Sequence, residues 1–227
     1  VAQRGGVVQL DTPLTIAEVV ARNARTQPEG VAFVEGASGA TLTWRAYERA
    51  AHERAAQLSA SHPPGSRVLI DVGDGPAAHV EMLACELAGL VGVGVGARAG
   101  AREREHLAAR TQGSQPGPEA LWFLNSTSGT TGLPKIVMHD QARWFAFHTF
   151  ADEVAHFTAD DVFASALPPP FGFGLWTRHF TPAITGAPCV VFERFDIDAL
   201  LAAIERYRVT VLAAVSTQFV MMLNSPA

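Results

Sequence analysis

The chemistry-bearing segment of the chain is Ser126-Thr127-Ser128-Gly129-Thr130-Thr131-Gly132-Leu133-Pro134-Lys135. It combines hydroxyls, two glycines and one ammonium, and it follows an apolar run directly. Glycines let main-chain N–H groups approach an anion closely. Ser and Thr hydroxyls donate to phosphate oxygens, and a lysine neutralises the charge of a polyphosphate. Lys135 is the only lysine among 17 basic residues; all the others are arginine. Either cation serves on a solvated surface, so a single ammonium in an arginine background marks a place that wants a compact, flexible point charge. The alternative is an ordinary Ser/Thr/Gly surface loop holding a chance lysine, which leaves the coincidence of position unexplained. The segment is not a Walker A loop, which sets Gly-Lys-Ser/Thr at the start of a helix. Here Pro134 precedes Lys135 and Ile136 opens a short apolar run after it. The grip expected is a loop between two strands.

The elements that must position this loop read as alternating helices and strands. Thr15-Ile16-Ala17-Glu18 is a capping box heading a helix with Ile16, Val19 and Val20 on one face. Residues 31–35 predict a strand, 36–39 a turn and 40–43 the returning strand. Thr43 then caps a helix with Tyr47, Ala50, Ala51 and Leu58 on one face, ended by His62-Pro63-Pro64-Gly65. Strands at 68–72 and 91–95 flank a helix carrying Val80, Leu83, Ala84 and Leu87 at core spacing. Residues 101–110 form a charged helix with 102–105 as its solvated face. After a linker at 113–118 the alternation resumes. Strands are expected at 120–125, 136–138, 162–167, 189–192 and 209–212. Helices are expected at 141–157, 175–185, 196–207 and from Thr217. This predicts an α/β fold with layered, mostly parallel sheets. The expected division is a first subdomain over 1–117 and a second, holding the phosphate loop, over 118–227.

Composition narrows the class. The chain has 227 residues, 48% hydrophobic and 17% charged, enough to bury a sizeable core and to exclude disorder as its general state. A net charge of −5 argues against a nucleic-acid partner. Cys85 and Cys189 are too few for a disulfide scaffold and are not spaced for zinc; both are expected as buried small hydrophobes, and no metal ligand is assigned. No apolar run reaches the ~18 residues of a membrane span, and the first residues show no signal-peptide core. A cytoplasmic location is the expectation.

Residues 127–135 match Ser/Thr-Ser-Gly-Thr-Thr-Gly-x-Pro-Lys, and the chain thereby resembles the adenylate-forming superfamily: acyl- and aryl-CoA synthetases, luciferases and peptide-synthetase adenylation domains. Leu42-Thr43-Trp44-Arg45-Ala46-Tyr47, Leu83-Ala84-Cys85-Glu86-Leu87-Ala88-Gly89 and the segment 195–222 resemble further family segments in the same order. The resemblance implies the N-terminal part of the family's large domain. It implies ATP-dependent conversion of a carboxylic acid to an acyl-adenylate with release of pyrophosphate, then thioester formation. The cofactors implied are ATP, Mg2+ and coenzyme A, with a carrier protein as the alternative acceptor. Ser126, Thr127, Ser128, Gly129, Thr130, Thr131, Gly132 and Lys135 would hold ATP, with Lys135 as the catalytic cation. Ile136 departs from the family's glycine after the lysine. The chain is also shorter than the family between Gly96 and Ser126, so residues near 113–117 are expected to be missing or naturally absent. The family's later motifs and C-terminal domain would lie beyond Ala227, so the fragment alone is expected to be inactive.

Pro170-Phe171-Gly172-Phe173-Gly174-Leu175-Trp176 occupies the place of the family's substrate-side aromatic motif. It carries no aspartate to pair with an α-ammonium, which disfavours amino acids. Phe171, Gly172, Phe173 and Gly174 are the candidate pocket for an apolar aryl, alicyclic or medium acyl carboxylate; core packing of these rings is the competing reading. Gly94-Val95-Gly96-Ala97-Arg98-Ala99 fits G-x-G-x-x-A, a dinucleotide fingerprint. Close strand packing explains its glycines better. His139 reads as a solvent-facing strand end, with pocket lining as the alternative. The rival functions are a dinucleotide-dependent reductase and a non-catalytic module retaining the fold.

Overall fold

In the computed structural model, which describes residues 15–96, 99–109, 121–126 and 136–226, two β-sheets are built from interleaved parts of the chain. The five-stranded sheet has the order β2 (Thr41–Thr43), β1 (Val31–Glu35), β8 (Cys189–Val191), β7 (Phe163–Ser165), β9 (Val211–Ala213). Only its β1–β2 hairpin is antiparallel. The four-stranded sheet has the order β3 (Arg67–Ile70), β4 (Val91–Gly94), β5 (Phe123–Ser126), β6 (Ile136–His139). Its first three strands are parallel, and β6 returns antiparallel to β5 with Ser126 opposite Ile136. A connection spanning only 127–135 is too short for a crossover between parallel strands, which takes about a dozen residues or more. The mixed α/β architecture with mostly parallel sheets is as expected. Each sheet takes strands from both sides of position 117, so a division there runs through both sheets.

The helices form where their caps and stripes put them. Thr15 and Glu18 close the capping box of α1 (Ile16–Thr26), whose Ile16, Val19 and Val20 are buried. Thr43 caps α2 (Trp44–Ser61), and Trp44, Tyr47, Ala51 and Leu58 face inward. α3 (Pro76–Leu87) starts with its proline at the first helical position, where the missing N–H costs nothing. These three helices and both sheets share one core that includes Trp44, Tyr47, Leu83, Phe123, Phe180 and Cys189. Each large apolar side chain fully buried there contributes about 1.5–3 kcal/mol. Both cysteines are buried and unpaired.

Three features of the connections bear on the site. α4 (Ala101–Ala109) is not a purely solvated face: Arg104 is half-buried, pairs with Asp71 beyond β3 and donates to the Ala99 carbonyl. α5 (Gln141–Ala155), capped by Asp140, follows β6 directly. The helical run after β7 begins at Gly172, earlier than expected. It passes from α6 (Gly172–Gly174) into a π-helical turn, Leu175–Phe180, and on into α7 (Thr181–Thr185). The remaining helices are α8 (Ile197–Tyr207), capped by Asp196, and α9 (Ser216–Leu223). No helix of the described residues is long and apolar enough to cross a membrane.

Candidate active site

The carboxyl ends of β3, β4, β5 and β7 converge on one edge, the place where open parallel sheets bind ligands. Side-chain space shows the convergence. A methyl added at Gly94, the last residue of β4, would lie 2.6 Å from both the Phe123 ring and Pro170. One added at Gly92 would lie 2.9 Å from Ile70 and Phe123. These glycines let β4 sit close beneath its neighbours, as expected; Ala97 and Arg98 lie outside the described residues. Gly96 faces the Phe171 ring. The β5–β6 hairpin carries the two ends of the segment 127–135 to this same edge. Thr127, Ser128, Gly129, Thr130, Thr131, Gly132 and Lys135 themselves lie outside the described residues, as do 113–117. The composition of that segment, hydroxyls, amides and an ammonium, suits an anion.

An aromatic wall runs beside the hairpin. His139, the last residue of β6, lies 5.3 Å from Trp144, Trp144 6.3 Å from Phe147, and Phe147 4.9 Å from Trp176. Trp176 stacks on Phe173 at 5.9 Å. Phe171 and Phe173 remain 37% and 44% exposed, so they stand on the rim and do not fill the core. Gly172 has room: a methyl there would meet Trp144 at 3.6 Å, an ordinary contact. Gly174 has none, because a methyl would overlap the Pro168 carbonyl. His139 is not a solvent-facing strand end. It is half-buried and its Nε2 lies 3.0 Å from Asn125 Oδ1 on β5, and burial lowers its pKa. Asn125 is itself buried, so the pair satisfies a polar group that would otherwise be costly.

Beneath the wall lies a polar group that pattern reading does not find. Arg178 on the π-helical turn is fully buried. Its Nη1 donates to the Leu167 carbonyl at 2.6 Å and its Nη2 to the Asp74 carbonyl. Burial lowers its pKa to about 10, against the raising influence of Cys189 and Asp74. Next to it, His179 Nδ1 lies 3.1 Å from His79 Nδ1 on α3. The two imidazoles are the middle members of a ring ladder, Phe33–His79–His179–Trp122, with centroid spacings of 4.4, 5.3 and 5.6 Å. One Nδ1 must donate and the other accept, so the accepting ring is neutral, and burial favours the neutral form of both. Burial holds His179 down to about 3 and, with Arg178 and His179 nearby, holds His79 well below the usual imidazole range. The only sequence signal is the Arg178-His179 pair inside an apolar helical stretch, which a face-by-face reading takes as solvated. Among the described residues no group of His, Cys, Asp or Glu is placed to hold a metal ion.

Comparison with known proteins bears on this geometry. The family described as AMP-binding enzyme matches residues 20–112 and 107–227. Indoleacetate–CoA ligase of Aromatoleum aromaticum is 36% identical over 115 residues, covering 49% of this chain and 22% of the relative. The 4-hydroxybenzoate–CoA/benzoate–CoA ligase of Rhodopseudomonas palustris is 30% identical over 172 residues, covering 74% of this chain and 28% of the relative. The chain therefore spans less than a third of either curated relative. The fold matches o-succinylbenzoate CoA synthetase of Bacillus subtilis, solved with its acyl-adenylate intermediate. The TM-score is 0.79 at 22% identity, over 91% of this chain and 64% of that one. The same enzyme solved with ATP and magnesium gives a TM-score of 0.78 at 23% identity, over 91% and 51%.

Proposed function

The chain belongs to the AMP-binding enzyme family, and from that premise we propose that it carries the phosphate-binding and acid-binding parts of an enzyme that activates a carboxylic acid with ATP. A carboxylate oxygen attacks the α-phosphorus, the bond to the β-phosphate breaks, and pyrophosphate leaves. A thiol then attacks the acyl-adenylate carbonyl, AMP leaves, and a thioester remains. Coenzyme A is the acceptor favoured, because the curated relatives are named as CoA ligases.

The observation that carries this reading is the shared edge: the two ends of the loop with the only lysine, Ser126 and Ile136, and the Phe171 ring facing Gly96 just past β4 lie at the carboxyl ends of the same parallel strands. Hydroxyls and amides of 126–132 would bind phosphate oxygens, and Lys135 would neutralise charge that builds on the departing pyrophosphate. Phe171, Phe173 and Trp176 would seat the acid's apolar body and exclude water from the mixed anhydride. Magnesium, when bound with ATP, would neutralise phosphate charge; the described residues provide no ligand cluster for it. The segment 170–176 bears no carboxylate to pair with an ammonium, so burying an α-amino acid there would cost several kcal/mol, about the penalty of an unpaired charge.

A panel of acids scored by pyrophosphate release, in the protein that carries this chain, tests the reading. Benzoate, cyclohexanecarboxylate or hexanoate should outperform alanine and phenylalanine. The reverse order would show the pocket misread.

A further inference from the structure

We propose, building on the function just assigned, that Arg178 is a positioning residue for the acid substrate: its guanidinium fixes the turn that presents Phe171 and Phe173 against the loop ahead of α3. The two carbonyls it holds come from different sheets. Leu167 lies just past β7, and Asp74 lies between β3 and α3. A buried guanidinium is costly to desolvate, and an apolar side chain of similar volume would stabilise the core more cheaply. What an apolar residue cannot do is donate in two directions at once from a rigid planar fork.

The grip is transmitted to the pocket. Leu167 leads directly into Pro168-Pro169-Pro170, whose ring-locked φ angles allow little independent movement. The Pro168 carbonyl accepts from Phe171 N at 3.2 Å and forms the floor on which Gly174 sits. Thr177, adjacent to Arg178, donates its hydroxyl to the Phe173 carbonyl at 2.8 Å. The orientation set at Leu167 thus determines where both rim phenylalanines stand. The π-helical turn inserts an extra residue per turn at this point, a local irregularity often found at functional sites. It allows Arg178 to point into the core while Trp176 joins the wall.

The test uses Arg178→Lys in the protein that carries this chain. Lysine keeps the charge but cannot fork to both carbonyls. The assay is ATP–pyrophosphate exchange with the best acid among benzoate, cyclohexanecarboxylate and hexanoate. The KM for the acid should rise about tenfold or more, a loss of about 1.4 kcal/mol, while the KM for ATP changes less than about twofold. Leu58→Ala in α2, a core variant remote from the turn, should lower stability and leave the acid's KM unchanged. An unshifted KM in Arg178→Lys, or an equal shift in Leu58→Ala, overturns the inference. If Arg178→Lys does not fold, the wild type supplies the answer by NMR. Benzoate at saturation should move the 15N-labelled Arg178 Nη resonances, and no movement overturns the inference. Absence of exchange with every acid in the wild type overturns the functional assignment instead.

Discussion

Acidification should destabilise this protein through His79 and His179. Both rings are buried and neutral, with His179 held down to about 3 and His79 well below its ordinary value. In the unfolded chain both titrate near the ordinary imidazole value of 6.5. Below that value the unfolded state binds protons that the native state refuses, so stability falls as pH falls and is recovered as pH rises through about 6.5. Between about pH 7 and about pH 5, each imidazole with a strongly depressed native pKa costs about 2 kcal/mol, and the pair about 4 kcal/mol. That is a large part of a typical domain's stability of about 5–15 kcal/mol. Urea unfolding followed by tryptophan fluorescence at a series of pH values measures it; Trp122, stacked on His179, is a direct reporter. His179→Phe keeps a ring in the ladder and removes one titrating group, so it should lose about 2 kcal/mol less over the same interval. Glu86, whose pKa is raised chiefly by burial, titrates in the opposite sense and cancels when wild type and variant are compared. A wild-type slope in His179→Phe would refute the neutral-pair assignment.

Two neighbouring glycines should respond in opposite ways. Gly174→Ala forces a methyl into the Pro168 carbonyl and should cost about 1–3 kcal/mol as overpacking, read as a lowered thermal midpoint. Gly172→Ala adds an ordinary contact to Trp144 at 3.6 Å in a helical position and should leave the midpoint unchanged or slightly raised; a matching loss in both would contradict the geometry of the turn.

Much of the framework is legible in the sequence because it is written locally. Thr15 with Glu18, Thr43 and Asp196 mark helix starts that the structure reproduces, since a cap bonds main-chain groups two or three residues away. The Gly/Ser/Thr/Lys segment is equally local, a run of donors between two apolar stretches. What local pattern could not supply is partnership across the chain. Arg178 bonds a carbonyl 104 positions distant and His179 pairs with a histidine 100 positions distant, so each reads as a polar interruption of a helix. His139 looks exposed until Asn125 arrives from the adjoining strand. The interleaving of both sheets across position 117 likewise depends on long-range pairing that no window of residues encodes.

The central claim is that the loop 126–135 grips the phosphates of ATP while a carboxylate is activated. Carboxylate-dependent ATP–pyrophosphate exchange, compared between the wild type and Lys135→Ala in the protein that carries this chain, tests it most directly. A charge-assisted phosphate contact is worth about 1.5–3 kcal/mol, so the variant should exchange about 10- to 100-fold more slowly with the same acid preference. Exchange at the wild-type rate in Lys135→Ala would remove the lysine from the site and contradict the account.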